Sequence, residues 1–192
     1  NAEKFKFIGG GSFGRVYKAV LSDGETIAVK AYRVQGSQYE EAEQLKLLSG
    51  NTSVKMPEVL FTFEDEQTAV LAMSFVEGLN VLSPMFLLKS KEQKQKFARD
   101  VVSGMLGWHS VTNDKFGSLG EPLYDNWYDY YKEEKQKPWL SSLKELSDKG
   151  NFSKKKLQLL LEATELFNSL PEEDTKPVLI HGDLNIMNIM AD

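Results

Sequence analysis

A chain of 192 residues, 41% of them apolar, can bury a core as one large domain or two small lobes, which excludes a disordered tail. Its net charge is −5, and only Arg15, Arg33 and Arg99 among its 23 cations are arginines, which argues against a phosphate-backbone reader; nucleic acid is not an expected partner. With no cysteine and only His109 and His181, disulfides, thiolate chemistry and a histidine-rich metal site are excluded; with no apolar run near the roughly 20 residues that cross a bilayer and no signal-peptide layout, a membrane partner is not expected and the expected location is cytoplasmic.

From Phe5 to Ala31, short β-rich runs are broken by glycines at 9–14 and by Ser22, Asp23 and Gly24, which predicts an antiparallel meander of three strands. "SQYEEAEQLKLL" predicts a helix with Ser37 as its cap. "EVLFTFEDEQTAVLAMSF" predicts two strands joined by a polar turn around Glu64 to Gln67. After Glu77 and Gly78 the texture changes. Phe97, Val101, Met105 and Trp108 form one helical stripe, and Leu157, Leu160, Leu161, Phe167 and Leu170 form another. A short apolar run, "PVLI", leads into the closing stretch "HGDLNIMNIMAD". The expected division is therefore a sheet-rich part over 1–77 and a mainly helical part over 78–192.

Three motifs carry chemistry. "IGGGSFGRVYKAV" fits GxGxxGxV with Gly9, Gly11, Gly14 and Val16 at the fixed positions. Alone it also fits an ordinary hairpin turn. A dinucleotide-binding turn should open a helix, whereas "RVYKAVL" continues as a strand. The strand-loop-strand setting suits a flap over nucleotide phosphates, with Ser12 and Phe13 at its tip and backbone amides approaching the oxygens. "IAVK" then matches the VAIK pattern, with Ala28 two residues before Lys30, the lysine that grips the α and β phosphates. A lone ammonium there needs a carboxylate, and of Glu40, Glu41 and Glu43 the expected partner is Glu43. Finally, "HGDLNIMN" matches HRDLxxxN except that Gly182 stands for arginine. Asp183 is the expected acceptor of the substrate hydroxyl's proton, and Asn188 the expected Mg²⁺ ligand, with His181 orienting the loop.

With these motifs in this order the chain resembles the protein-kinase-like superfamily, and within it the aminoglycoside phosphotransferase, choline kinase and fructosamine kinase branch, whose loop has the HGD form. "VLAMSFVEG" resembles the strand and hinge whose backbone, at Ser74, Phe75 and Val76, pairs with the adenine edge. "DNWYDYYKEE", with Trp127, Tyr130 and Tyr131, resembles the WxxFF element of fructosamine kinases, although a helix packing its aromatic side against a core explains it more simply.

The resemblance implies an α+β, two-lobed protein-kinase-like fold with an antiparallel-sheet nucleotide-binding lobe and a helical lobe carrying the catalytic loop. It implies ATP and Mg²⁺, and a phosphotransferase acting on an alcohol group of a sugar-like or aminoglycoside-like small molecule. A fructosamine kinase acting on glycated amines and a nucleotide-binding pseudokinase or scaffold are the alternatives. The arginine that Gly182 replaces typically contacts an activation-loop phosphate, so phosphorylation control is not expected. Such kinases also carry a second metal-binding aspartate beyond the loop. Only Ile189, Met190, Ala191 and Asp192 follow Asn188, and Asp192 is too close to serve. The expectation is a C-terminally incomplete chain with weak or absent turnover.

Overall fold

The computed structural model describes residues 2–171 and 175–191. The first five strands form one antiparallel sheet, β1 Ala2–Gly10, β2 Gly14–Leu21, β3 Thr26–Tyr32, β4 Val59–Glu64 and β5 Ala69–Ser74, in the order β1-β2-β3-β5-β4. The β2–β3 turn closes because Gly24 takes a φ of +88°, open to glycine at no steric cost, while the Asp23 carboxylate accepts from the Glu25 N–H at 2.9 Å. In the β4–β5 turn the Asp65 carboxylate accepts from the Gln67 N–H in the same way, at 2.9 Å.

Side chains alternate across a strand, so β2, β3 and β5 each feed two apolar layers. Ala28, Leu71 and Met73 pack with Ala42 of the helix α1 Ser37–Ser49, joined by Val16, Tyr32, Leu45, Val59 and Phe75. Ala19, Ile27 and Ala72 make the opposite layer with Leu21 and Val29. The layer under α1 is also where the alternation places Lys30, two residues from both Ala28 and Tyr32.

Ser37 does not cap α1. It is the first helical residue, and Gly36 precedes it at φ +88° with no side-chain cap; the Gly36 N–H donates to the Glu64 carboxylate at 2.8 Å. The Gln38 amide donates to the same carboxylate, so β4 takes over the anchoring the sequence assigned to a serine.

Beyond β5 the chain forms β6 Leu79–Asn80, α2 Pro84–Leu87 and α3 Lys91–His109. Ser90 caps α3 in a reciprocal pair with Gln93. The predicted stripe faces inward: Trp108 is buried, and Phe97 packs on Val81, Phe86 and Ala191. Added β-carbons on Gly104 and Gly107 would stand 2.4 Å from Val54 Cγ2 and 2.7 Å from the Asn51 carbonyl oxygen, so these glycines let α3 lie against the segment leaving α1. The Trp108 indole N–H then donates to the Leu48 carbonyl at 3.0 Å.

The chain packs as two compact units, 1–111 with 179–192, and 112–178. The composition change at residue 77 falls inside the first. In the second, β7 Phe116–Ser118 and β8 Glu121–Tyr124 pair antiparallel. They lead into α4 Trp127–Tyr130, a π-helical turn Tyr131–Gln136, α5 Lys137–Asp148 and α6 Lys154–Asn168. The aromatic run packs internally: Trp127 stacks on Tyr131 at 5.0 Å, and the Phe167 ring of α6 lies 5.3 Å from Tyr131. No described helix is long and apolar enough to cross a membrane.

Candidate functional site

The glycine-rich stretch spans the β1–β2 hairpin, closed by the Gly11 N–H donating to the Gly14 carbonyl at 3.0 Å. Ser12 and Phe13 form the tip, and Phe13 is 73% exposed. The tip is tied to the end of β3, because the Arg33 N–H donates to the Phe13 carbonyl at 3.0 Å and its guanidinium reaches the Ser12 carbonyl at 3.4 Å.

The three motif glycines differ in what requires them. A β-carbon on Gly14 would stand 2.2 Å from the Ala31 carbonyl oxygen, so sheet packing alone demands glycine. Among the described residues, Gly9 and Gly11 have nothing within 4 Å of an added β-carbon, and neither has a positive φ. Space left open by the chain itself is what a close-approaching ligand needs.

Lys30 lies opposite Val16 in the β2–β3 register, and its Nζ pairs with Glu41 Oε2 at 2.5 Å. The expected partner, Glu43, is not the one: it pairs with Lys46 at 2.7 Å and its side chain is 73% exposed. Helical geometry is the reason. Gln38 and Ala42 are buried on α1 and Leu45 packs on the same layer. Glu41 is three residues from Gln38 and four from Leu45, on that stripe, whereas Glu43 faces away.

Ala28, Val16 and Phe75 belong to the same apolar layer. Ser74 is less free than the resemblance implies: its N–H donates to the Glu58 carbonyl at 2.8 Å, and its hydroxyl accepts from the Glu58 N–H at 2.8 Å. Phe75 and Val76 follow the end of β5. Lys18, which the sequence reading passed over, lies opposite Ala28, with its Nζ 4.1 Å from the Phe75 ring centre and 3.2 Å from Glu77 Oε1.

The closing loop returns to the first unit through β9 Met190–Ala191, which pairs with β6, and through the Leu179 N–H donating to the Val111 carbonyl at 2.9 Å. Gly182 has φ +79°, a backbone region that costs an L side chain roughly 1–2 kcal/mol, which accounts for glycine where HRD loops carry arginine. Asp183 is exposed, with both carboxylate oxygens held. Asn185 Nδ2 donates to Oδ1 at 2.7 Å and Asn188 Nδ2 to Oδ2 at 2.9 Å. Asn188 Nδ2 also reaches the Asp183 carbonyl at 2.9 Å.

Because the amide nitrogen of Asn188 is committed to Asp183, its Oδ1 is left as the atom that could ligate a hard cation. His181 Nδ1 accepts from the Asp183 N–H at 3.3 Å, and its ring lies 5.4 Å from Trp108. Asn185 and Asn80 were missed by sequence reasoning. The Asn185 carbonyl oxygens shape the turn by accepting from the Met187 and Asn188 N–H groups, and the Asn80 amide donates to the Met187 carbonyl at 3.2 Å. An asparagine three residues before the motif asparagine was a visible turn signal; Asn80 had none. Asp192 lies outside the described residues.

One compact unit thus holds a lysine–carboxylate pair beside an open glycine hairpin, and an aspartate–asparagine pair on a hydrogen-bonded loop. Such an arrangement can bind a polyphosphate, accept a proton and offer an oxygen to Mg²⁺.

The chain matches the model of the phosphotransferase enzyme family over residues 4–192. No curated protein matches it. Among solved structures, a provisionally designated fructosamine-3-kinase from Thermobifida fusca YX-ER1 is 23% identical, with a TM-score of 0.59 over 95% of this chain and 62% of that one. A second, from Haemophilus somnus 129PT, is 19% identical, with a TM-score of 0.57 over 90% of this chain and 58% of that one. APH(2")-IIia, solved as its complex with GDP and kanamycin, is 16% identical, with a TM-score of 0.68 over 100% of this chain and 63% of that one. The chain spans less than two thirds of each of those chains. These likenesses show the fold, which is protein-kinase-like, with an antiparallel sheet preceding a mainly helical part.

Proposed function

Since the chain belongs to the phosphotransferase enzyme family, we propose that it carries the nucleotide-binding part and catalytic loop of an ATP- and Mg²⁺-dependent kinase acting on a hydroxyl of a small molecule. The observation that carries this reading is the coexistence, in one compact unit, of the Lys30–Glu41 pair and the Asp183–Asn188 pair. In this reading residues 1–77 form the nucleotide lobe and 78–192 carry the loop.

Each residue then has a task that suits its chemistry. Gly9 and Gly11 leave room for phosphate oxygens against backbone amides, with Ser12 and Phe13 folding over them. Glu41 fixes Lys30, whose ammonium balances the α and β phosphates. Val16, Ala28 and Phe75 face the base, and the backbone of Phe75 and Val76 pairs with its edge in preference to that of Ser74. Mg²⁺, held through Asn188 Oδ1, would supply charge stabilisation at the phosphates. Asp183 takes the proton of the acceptor hydroxyl as its oxygen attacks the γ-phosphorus; the bond to the β-phosphate oxygen breaks and ADP leaves. Holding the carboxylate by two amides fixes its aim, and aim is most of what phosphoryl transfer asks of a protein.

The acceptors to be tried first are suggested by the fold relatives: two are named as fructosamine-3-kinases and the third holds kanamycin. An assay of ADP release across glycated amines and aminoglycosides selects between them. Asp183→Asn should lower acceptor-dependent release by about 10²- to 10⁴-fold, the usual worth of a positioned base. Unchanged release in that variant would remove Asp183 from the mechanism.

A further inference from the structure

Arg33 follows the last residue of β3, and none of the three motifs includes it. Alternation along the strand puts Lys30 and Tyr32 on the face under α1 and Arg33 on the opposite face. Arg33 is exposed and, among the described residues, pairs with no carboxylate. What its guanidinium reaches is the Ser12 carbonyl of the hairpin tip, at 3.4 Å.

The backbone at that tip departs from a regular ladder. The β2–β3 register, carried one step beyond Gly14 and Tyr32, sets Phe13 opposite Arg33. Two residues so placed in an antiparallel pair either exchange both N–H···O bonds or make neither. Here one is made, from the Arg33 N–H to the Phe13 carbonyl at 3.0 Å. The return bond, from the Phe13 N–H to the Arg33 carbonyl, is missing, and among the described residues the Ser12 and Phe13 N–H groups have no backbone acceptor. The Ser12–Phe13 peptide is turned so that its carbonyl meets the guanidinium. A trans peptide holds its C=O and N–H antiparallel, and no described peptide bond is cis. With the carbonyl drawn to the face that Arg33 occupies, the Phe13 N–H is directed to the other face, the one that carries Lys30.

We propose, resting on the nucleotide reading above, that Arg33 is a positioning residue of the phosphate flap: by holding the Ser12 carbonyl it keeps the Phe13 N–H out of the ladder and turned toward the phosphates that Lys30 neutralises. Arg33 itself touches no reacting atom. Without the guanidinium the peptide turns back, and the Phe13 N–H closes on the backbone carbonyl of position 33, which any residue there supplies.

The test joins two measurements on the chain, for the parent, Arg33→Met and Lys30→Met: calorimetric titration with Mg·ADP and, separately, with adenosine, and amide hydrogen exchange at Phe13 followed by NMR. Arg33→Met keeps an unbranched stem at an exposed position and should keep the melting temperature. It should weaken Mg·ADP by about 3- to 10-fold, the worth of one lost hydrogen bond, with adenosine unchanged within twofold. In the ligand-free variant the Phe13 amide should exchange about tenfold more slowly than in the parent, because it has rejoined the ladder. A Mg·ADP loss with unchanged Phe13 exchange would make the guanidinium a bare charge, and that result overturns the proposal. Equal weakening of both ligands overturns it as well. So does parental Mg·ADP affinity in Arg33→Met while Lys30→Met loses it, and in that case the nucleotide reading survives. If the parent itself binds neither ligand, the nucleotide reading falls and this proposal with it.

Discussion

Lys30 has three acidic residues within reach in sequence and one in space. Glu41 pairs with it at 2.5 Å, while Glu43 sits on the solvent side with Lys46. If the pair positions the ammonium for phosphates, Glu41→Gln should weaken Mg·ADP binding by about tenfold, the scale of a charge-assisted contact, and Glu43→Gln should leave it within twofold. Equal losses in both variants would return Glu43 to the site. The identity of the glutamate was legible, since counting 3.6 residues per turn from the apolar positions Ala42 and Leu45 selects Glu41 and rejects Glu43. Apolar neighbours in sequence point to Glu43, but they do not share its side of the helix.

Among the elements, two sets of glycines with the same composition signal do opposite things. Gly107 lets α3 touch the Asn51 carbonyl, so Gly107→Ala forces backbone apart and should lower the urea midpoint by the equivalent of about 1–3 kcal/mol. Gly9 has open space around it, so Gly9→Ala should hold stability within about 0.5 kcal/mol. Its loss should appear in Mg·ADP affinity instead. A Gly9→Ala variant as unstable as Gly107→Ala would make the hairpin glycine structural.

A second element-scale prediction concerns alkali. The Tyr124 hydroxyl of β8 donates to Glu134 Oε1 of the π-helical turn at 2.6 Å. That hydrogen bond first, then burial and the nearby acidic charges, pushes its pKa up from 10.0 to about 12. A raised folded-state value means the contribution is fully present below about pH 10 and disappears as pH rises through 12. The urea midpoints of the parent and Tyr124→Phe should differ at pH 8 and converge by that pH. A gap that widens with alkali would contradict the bond.

The strands β1 to β5 were readable from alternation, helices α3 and α6 from apolar stripes and α1 from its strong helix formers, although Ser37 is not the cap of α1. The π-helical turn was not, since a lone change of hydrogen-bond register leaves no mark on the apolar period. Nor were the two-residue strands β6 and β9, which are too short to show alternation, although they are what returns the loop to the first unit.

At the scale of the molecule, the chain folds its first 111 residues and its last 14 into one compact unit, with residues 112–178 forming another between them in sequence. Sequence order therefore hides the central relation: the motifs that begin and end the chain belong to the same unit. The motifs themselves were legible because each is set by local chemistry, a hairpin, a strand end and a hydrogen-bonded loop. Their shared unit is a tertiary fact, made by β6–β9 pairing and by Trp108, whose indole donates to the Leu48 carbonyl of α1 and whose ring lies tilted 5.4 Å from that of His181. The most direct test is calorimetric titration with Mg·ATP of the parent, Lys30→Met and Asn188→Ala. If both ends of the chain serve one triphosphate, each substitution should weaken Mg·ATP by about tenfold or more, a loss of roughly 1.4 kcal/mol. Parental affinity in either variant would contradict the account.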